Sequence, residues 1–356
     1  MFSILLFLIC NINAIAISTS ASSSILMDME SKRILYSKDI HKTQSVASIS
    51  KIMTGYLACE SDKLDENVTV GDEIEEAYGS SVYIKKGEIL TLKDLTYALM
   101  LRSGNDASLS IATYLSKSET NFVKLMNDKA KKIGMKNTLF ENPNGLDDNS
   151  NGNISSAFDM AILTSYAMKN KEYKDIVKTK TYKLKTSKNY YVWNNKNRLL
   201  NTYKYSTGGK TGYTVKAKRT LVTTASKDNL NLVAVTLNDG NDFEDHKNLF
   251  EYGFDNYSNQ NILKKGIFNI YEETYYKDYE LYIKEDFSYP LMDNEVNNLV
   301  LKIEIYKEKK IKKNNLVGKV KVLLSDKLIH EQGIYIKDVK QKSDLLKIIR
   351  KWLNFD

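Results

Sequence analysis

Three short polar segments constrain this chain more than any other feature: Ser48-Ile49-Ser50-Lys51, Ser103-Gly104-Asn105 and Lys210-Thr211-Gly212. Ser48 and Lys51 stand at i and i+3, one face of a helix, so the lysine amine can reach the serine oxygen. Ser-x-x-Lys occurs only once in the chain. The first members of the three segments are 55 and 107 residues apart, so a fold that uses them together must draw distant backbone into one cleft. Jointly they supply a nucleophile, two proton-transfer groups and a cation for an anionic substrate. That set reads as a serine acyl-transfer enzyme.

A serine hydroxyl is a weak nucleophile until a neighbour takes its proton. The three histidines, His41, His246 and His330, belong to no motif that links them to a serine. Neither a Gly-x-Ser-x-Gly elbow nor a His-Glu-x-x-His metal site is present, which leaves Lys51 as the base. A lysine with an ordinary pKa near 10.4 is almost entirely protonated at neutral pH, and lowering it by three units takes roughly 4 kcal/mol. Burial and a second ammonium both act in that direction. Lys51 as base therefore requires Lys210 to converge on the same cleft; the alternative is a charged Lys51 that only orients Ser48.

In this reading Ser103 relays a proton to the leaving amine and Asn105 binds the substrate amide. Lys210 and Thr211 receive a terminal carboxylate, and Gly212 keeps the strand open to a ligand. The N–H groups of Ser48 and Tyr213 form an oxyanion hole. Singly, each motif has a plain explanation. Ser48 at a helix start is an ordinary N-cap, Lys-Thr-Gly is a common turn, and Ser-x-Asn recurs at Ser187-Lys188-Asn189 in a polar surface stretch. The ordered set is far more specific than its parts. It calls for neither a metal nor an organic cofactor.

A chain of 356 residues, 42% hydrophobic and 27% charged, has room for two folded domains. Its formal charge of +8 suits either a solvated basic surface or anionic surroundings such as wall polymer. No zinc-finger spacing or aromatic–basic pattern points to nucleic acid. Phe2 to Ile9 is apolar but for Ser3 and is followed by Ala14-Ile15-Ala16, an A-x-A-like site, so residues 1–17 read as a signal peptide and the protein as exported. Cys10 lies inside that segment and Cys59 is the only other cysteine, which excludes a disulfide framework in the mature chain.

Residues 18–257 read as one α+β catalytic domain, an antiparallel sheet with a helical cluster. Strands are expected over 24–28 and 33–36, and a β-hairpin over 220–225 and 230–237, with Lys210 on a strand entering the same sheet. Helices are expected from Ser48 and over 92–101, 107–115, 122–133, 157–168 and 243–252. Asn142-Pro143-Asn144-Gly145 is a turn. Residues 258–341 read as a small all-β domain with strands over 299–306, 316–323 and 327–335. Residues 342–356 read as an amphipathic helix with Leu345, Ile348, Ile349, Trp352 and Leu353 on one face. Over residues 343–355 it would be about 20 Å long, suited to lying on a membrane or on its own β domain.

With these segments in hand, the chain resembles the serine D-alanyl-D-alanine carboxypeptidases of peptidase family S11, the low-molecular-weight penicillin-binding proteins. The likeness runs through Ala47 to Thr54, Leu101 to Ala107, Phe122 to Asn127, Asn142 to Leu146 and Gly209 to Thr214, and covers roughly residues 24 to 255. It implies a penicillin-binding-protein/β-lactamase-like fold and cleavage of the terminal D-alanine from a peptidoglycan pentapeptide through an acyl-enzyme on Ser48. It also implies inhibition by β-lactams. Val46 stands where a proline is common and Lys218 where a glycine is frequent; Arg198 lies in a familiar segment without an assigned role. A β-lactamase-type hydrolase and a non-catalytic penicillin-binding wall protein are the competing readings.

Overall fold

The computed structural model describes residues 17–147, 152–271, 275–308 and 310–339. The signal-peptide reading and the terminal-helix reading fall, apart from residue 17, outside the described residues. The chain divides into two units, Met1–Asp255 and Asn256–Asp356.

In the first unit, strands from the two ends of the sequence form one antiparallel sheet. These are β1 (Ser23–Asp28), β2 (Ile34–Lys38), β3 (Ser206–Thr214), β4 (Lys218–Lys227) and β5 (Leu230–Leu237), in the order β2-β1-β5-β4-β3. The β4–β5 hairpin follows from two β-branched runs around Asp228-Asn229, both at positive φ as a tight turn requires. Lys218, at φ +58, opens β4 in the left-handed region that favours glycine. The β3 strand lies at the sheet edge.

Between β2 and β3 lies the helical cluster: α1 (Lys51–Glu60), α2 (Leu92–Tyr97), α3 (Asn105–Ser116), α4 (Glu119–Lys132), α5 (Ala157–Ala167), α6 (Lys171–Lys178) and the short α7 (Leu199–Thr202). Lys51 to Cys59 are all buried, which makes α1 the central helix. By contrast α4 buries only Phe122, Met126 and Ala130, one stripe at a four-residue spacing. Ile25 and Met27 of β1, Val222 of β4 and Val233 and Val235 of β5 join Ile52, Met53, Leu95, Phe122 and Met160 in a single core.

The final helix of this unit, α8 (Asp242–Asn256), carries His246, which bridges Thr223 of β4 at 2.6 Å and Thr236 of β5 at 3.1 Å. Its Gly253 sits so close to β1 and β5 that a Cβ there would stand 2.6 Å from Leu232 and 2.9 Å from Leu26. The hairpin of residues 181–194 was not expected from sequence; Ser187-Lys188-Asn189 lies in its turn.

The second unit is all-β, as expected. Its sheet holds β6 (Gly266–Ile267), β7 (Tyr279–Ile283), β8 (Leu299–Ile305), β9 (Leu316–Leu324) and β10 (Lys327–Val339), in the order β6-β7-β10-β9-β8. Ser258–Leu263 pairs separately with Phe287–Leu291. Leu281, Val320, Val322, Ile334 and Ile336 centre its core.

The helices differ from the sequence expectation: α1 begins at Lys51 rather than Ser48, α6 was not expected, and α2 changes its winding. Instead of running to Leu101 in α geometry, α2 gives way to a wider π turn over Ala98–Arg102. The apolar spacing of Leu95, Leu99 and Met100 is compatible with either winding, so periodicity could not separate them.

Two stability measurements test this packing. Burial holds the His246 pKa at about 3, against 6.5 for a free imidazole. Its contribution is therefore complete above pH 6.5 and is lost as pH falls toward 3, a term on the order of 5 kcal/mol at most. Urea titrations of His246→Gln should show a flatter pH dependence than wild type between pH 6.5 and 4. Gly253→Ala should lower stability by about 1 kcal/mol despite alanine's better helix propensity, because two buried leucines must move. A higher denaturation midpoint would contradict that packing.

Candidate active site

Ser48 does not cap a helix. It lies inside a 3-10 turn, Ala47–Ser50, that precedes α1, and no side-chain capping bond forms at either N-cap. One backbone conformation and two hydrogen bonds fix this turn. Ala47 takes φ +49, Ser50 Oγ donates to the Ala47 carbonyl at 2.9 Å, and Thr220 Oγ1 of β4 donates to the Val46 carbonyl at 3.0 Å. Above it lies Gly145, at φ +82, where any Cβ would strike the Ala47 carbonyl. Ser48 remains partly exposed while its neighbours are buried.

Lys51 opens α1 and is fully buried. Its Nζ lies 3.1 Å from Ser48 Oγ and 2.7 Å from Asn105 Oδ1, and it also contacts the Asn144 carbonyl. An ammonium has three protons for these three acceptors; a neutral amine has two protons and one lone pair. The two amide oxygens can only accept, so in the neutral form the lone pair is left for the Ser48 hydroxyl. Burial pushes the Lys51 pKa down to about 7; the Lys196 ammonium adds to this and the Asp106 carboxylate opposes it.

The π turn delivers the second segment. It ends on Ser103 in the left-handed region, at φ 65 and ψ 33, after which Asn105 starts α3. Asn105 is held on three sides. Its Oδ1 accepts from Lys51, its Nδ2 donates to the Tyr78 carbonyl at 2.6 Å, and its backbone N–H donates to the Ser80 carbonyl at 2.7 Å. The next residue, Asp106, accepts from the N–H groups of Val82, Tyr83 and Ile84, fastening that loop to α3.

Along β3 comes the third segment. Lys210, 2% exposed, donates from Nζ to Ser103 Oγ at 3.1 Å and to the Thr211 carbonyl at 2.6 Å. Burial, then the charges of Lys51 and Lys196, hold its pKa well below the usual lysine range. A Cβ on Gly212 would press on Thr220 Oγ1 and stand 3.0 Å from the Ser48 nitrogen and 3.1 Å from that of Ile49. The strand therefore runs directly against the serine turn. Thr211 is half-buried and Tyr213 is 63% exposed.

A continuous chain of contacts thus joins Ser48, Lys51 and Asn105, a second joins Ser103 and Lys210, and adjacent backbone in the second segment connects the two. The histidines lie elsewhere: His246 between Thr223 and Thr236, His41 against Phe158, and His330 stacked on Phe287. Among the described residues no group of three or more His, Cys, Asp or Glu side chains is arranged to hold a metal ion. Sequence reasoning missed Asn144, Tyr78, Ser80 and Lys196. The first three act through backbone carbonyls, which residue type does not reveal, although 142–145 was legible as a turn.

Comparison with known proteins identifies the family. Residues 11–241 match the model of the D-alanyl-D-alanine carboxypeptidase family, and residues 257–342 match that of the penicillin-binding protein 5 C-terminal domain. The chain is 38% identical over 225 residues to the D-alanyl-D-alanine carboxypeptidase DacF of Bacillus subtilis, covering 60% of this chain and 56% of that protein. It is 34% identical over 254 residues to DacC of Escherichia coli, covering 67% and 62%. The matched stretch thus spans less than two thirds of either relative. The structure of penicillin-binding protein 5 from Haemophilus influenzae superposes with a TM-score of 0.76 at 25% identity, covering 90% of this chain and 98% of that one. Both the family match and the shared architecture lead to one assignment: this chain belongs to the D-alanyl-D-alanine carboxypeptidase family.

Proposed function

We propose that the protein is a serine-type D-Ala-D-Ala carboxypeptidase that removes the terminal D-alanine from peptidoglycan pentapeptides, and that β-lactams acylate the same serine. The observation that carries this reading is the buried Lys51 amine 3.1 Å from Ser48 Oγ, with a pKa brought to about 7. Family membership supplies the substrate class.

In the reaction, neutral Lys51 takes the Ser48 proton as Oγ attacks the carbonyl carbon of the penultimate D-alanine. The N–H groups of Ser48 and Tyr213 take the oxyanion. Ser103, bonded to Lys210, relays the proton held by Lys51 to the departing amine, which leaves Lys51 neutral again; the C–N bond breaks, and D-alanine leaves. Water then attacks the Ser48 ester, its proton returning through Lys51, and releases the shortened peptide. Asn105 aligns the substrate amide, and Lys210, Thr211 and Gly212 line the path of the leaving residue. No step requires a metal or an organic cofactor.

We place this activity outside the cytoplasm, with residues 1–17 as the export signal, 18–257 as the catalytic domain, 258–341 as the β-rich domain and 342–356 as a membrane-facing helix. Among the described residues no helix is long and apolar enough to cross a membrane. The Lys51–Ser48 contact argues against a non-catalytic binding protein, and the family match argues against a β-lactamase.

Purified protein should release free D-alanine from a peptide ending in D-Ala-D-Ala, and Ser48→Ala should abolish release. Mass spectrometry after penicillin treatment should find the adduct on Ser48; D-alanine release by the Ser48→Ala protein would end the proposal. Because Lys51 acts as base only when neutral, acylation should rise with pH to a midpoint near 7. Stopped-flow acylation from pH 5 to 9 measures this, and a rate flat across that range would remove Lys51 from the role.

A further inference from the structure

The hairpin of residues 181–194 takes no part in the reaction above, yet it stands against the segments that make the cleft. Its inner face is firmly held. Tyr182 stacks on Tyr97 of α2 at 3.8 Å and donates from Oη to Asp94 Oδ1 at 2.6 Å, and Tyr191 Oη donates to Glu88 Oε2 at 2.9 Å. A two-stranded hairpin is marginal by itself, so these contacts keep its outer face in one shape. On that face Lys183 pairs with Val192 and Lys185 with Tyr190, all four exposed. Tyr190 is 58% exposed.

Charge here is sorted, whereas most protein surfaces mix both signs. Residues 176–227 contain 13 lysines and arginines and neither an aspartate nor a glutamate, so the rest of the chain is net negative. Lys183 and Lys185 make no ion pair among the described residues. Their neighbours have neutral partners: Lys188 Nζ donates to the Lys86 carbonyl at 2.5 Å, Arg102 Nη1 to the Asn194 carbonyl at 3.3 Å, and Lys196 Nζ to Ser80 Oγ at 3.5 Å. This row of cations is left uncompensated.

The row runs into the cleft. Arg102 directly precedes Ser103, and the Lys196 N–H donates to the Leu101 carbonyl at 3.1 Å. Ser80, beside the Lys196 amine, also holds the Asn105 N–H through its carbonyl. Tyr83 completes the edge. Its carbonyl accepts from Tyr191 Oη at 3.4 Å, and Asp106 holds its N–H while the residue sits at φ +63, a rare conformation for a bulky side chain. The ring that results is 71% exposed.

We infer that the outer face of this hairpin, with Arg102, Lys196 and Tyr83, is a docking surface for polymeric peptidoglycan that engages stems neighbouring the one being cut. This rests on the carboxypeptidase reading above. Every stem ends in a carboxylate, so a glycan strand that carries many of them is a polyanion, complementary to a row of unpaired cations. Exposed tyrosines add apolar faces with a polar tip, suited to covering sugar rings between the stems. Each contact is weak in water, but stems tethered to one strand act together.

The test compares a short soluble peptide ending in D-Ala-D-Ala with uncross-linked peptidoglycan strands whose stems keep that ending. Wild type should act on the strands with the higher kcat/KM. Raising salt from about 50 to about 300 mM should erode that preference and spare the short peptide. Lys183→Gln/Lys185→Gln/Tyr190→Thr should lose on the order of 10-fold on the strands, chiefly through KM. The same variant should cleave the short peptide as wild type does, which also reports an intact fold. Lys183→Arg/Lys185→Arg should keep the preference. A wild type without preference for the strands, a preference that neither salt nor the triple variant reduces, or equal losses on both substrates would overturn the surface. So would a triple variant that sediments with peptidoglycan like wild type but no longer with phosphatidylglycerol vesicles, since that result assigns the face to lipid. A wild-type protein that releases D-alanine from neither substrate would instead overturn the carboxypeptidase reading, and this inference with it.

Discussion

The site depends on burying one amine. Lys51 stands at the first position of a helix that is buried on all sides, where an ammonium loses its hydration and gains only neutral partners. Everything around it serves that condition. Gly145 brings the 142–147 loop down so that the Asn144 carbonyl reaches Nζ, and Asn105 is clamped so that its oxygen rather than its NH₂ faces the lysine. A carboxylate placed there would have restored the charge. Instead Asp106, the acid whose charge reaches Lys51, is buried and spends its oxygens on the backbone N–H groups of Val82, Tyr83, Ile84 and Ala107.

The three segments also divide the work by rigidity. The serine turn is braced by β4, by its own helix and by a loop, while Ser103 is itself the left-handed residue that closes a π turn. Its hydroxyl meets Lys210 Nζ at 3.1 Å. Along β3 the sheet itself provides the straight edge, and the missing Cβ of Gly212 keeps that edge within touching distance of the Ser48 amide. Helix, turn and strand thus contribute one wall each.

Much of this was legible in the sequence, and the reasons are specific. Ser48 and Lys51 announce themselves by spacing, and the β-branched runs of 220–225 and 230–237 match β4 and β5 because both strands are covered on two faces. The all-β second unit followed from alternation in the same way. What stayed hidden was geometry that residue type does not encode: a 3-10 turn in place of an N-cap at Ser48, a π turn in place of the end of a helix, and carbonyl acceptors from Tyr78, Ser80 and Asn144. The polar stretch of 181–194 hid a hairpin because its apolar residues, Tyr182, Leu184, Tyr191 and Trp193, are diluted by lysines and asparagines.

The strand order has an effect on how this protein comes into being. Ser23 pairs with Leu237 and Asp28 with Leu232, so the second strand to one side of β1 is supplied only when nearly the whole first unit exists. Contacts this remote in sequence form slowly, and a nascent chain lacking β5 leaves the backbone of β1 open along that flank. The helices in between can wind early, but the catalytic pocket has no floor until the late hairpin arrives. Completion of the first unit is therefore timed by its last strands.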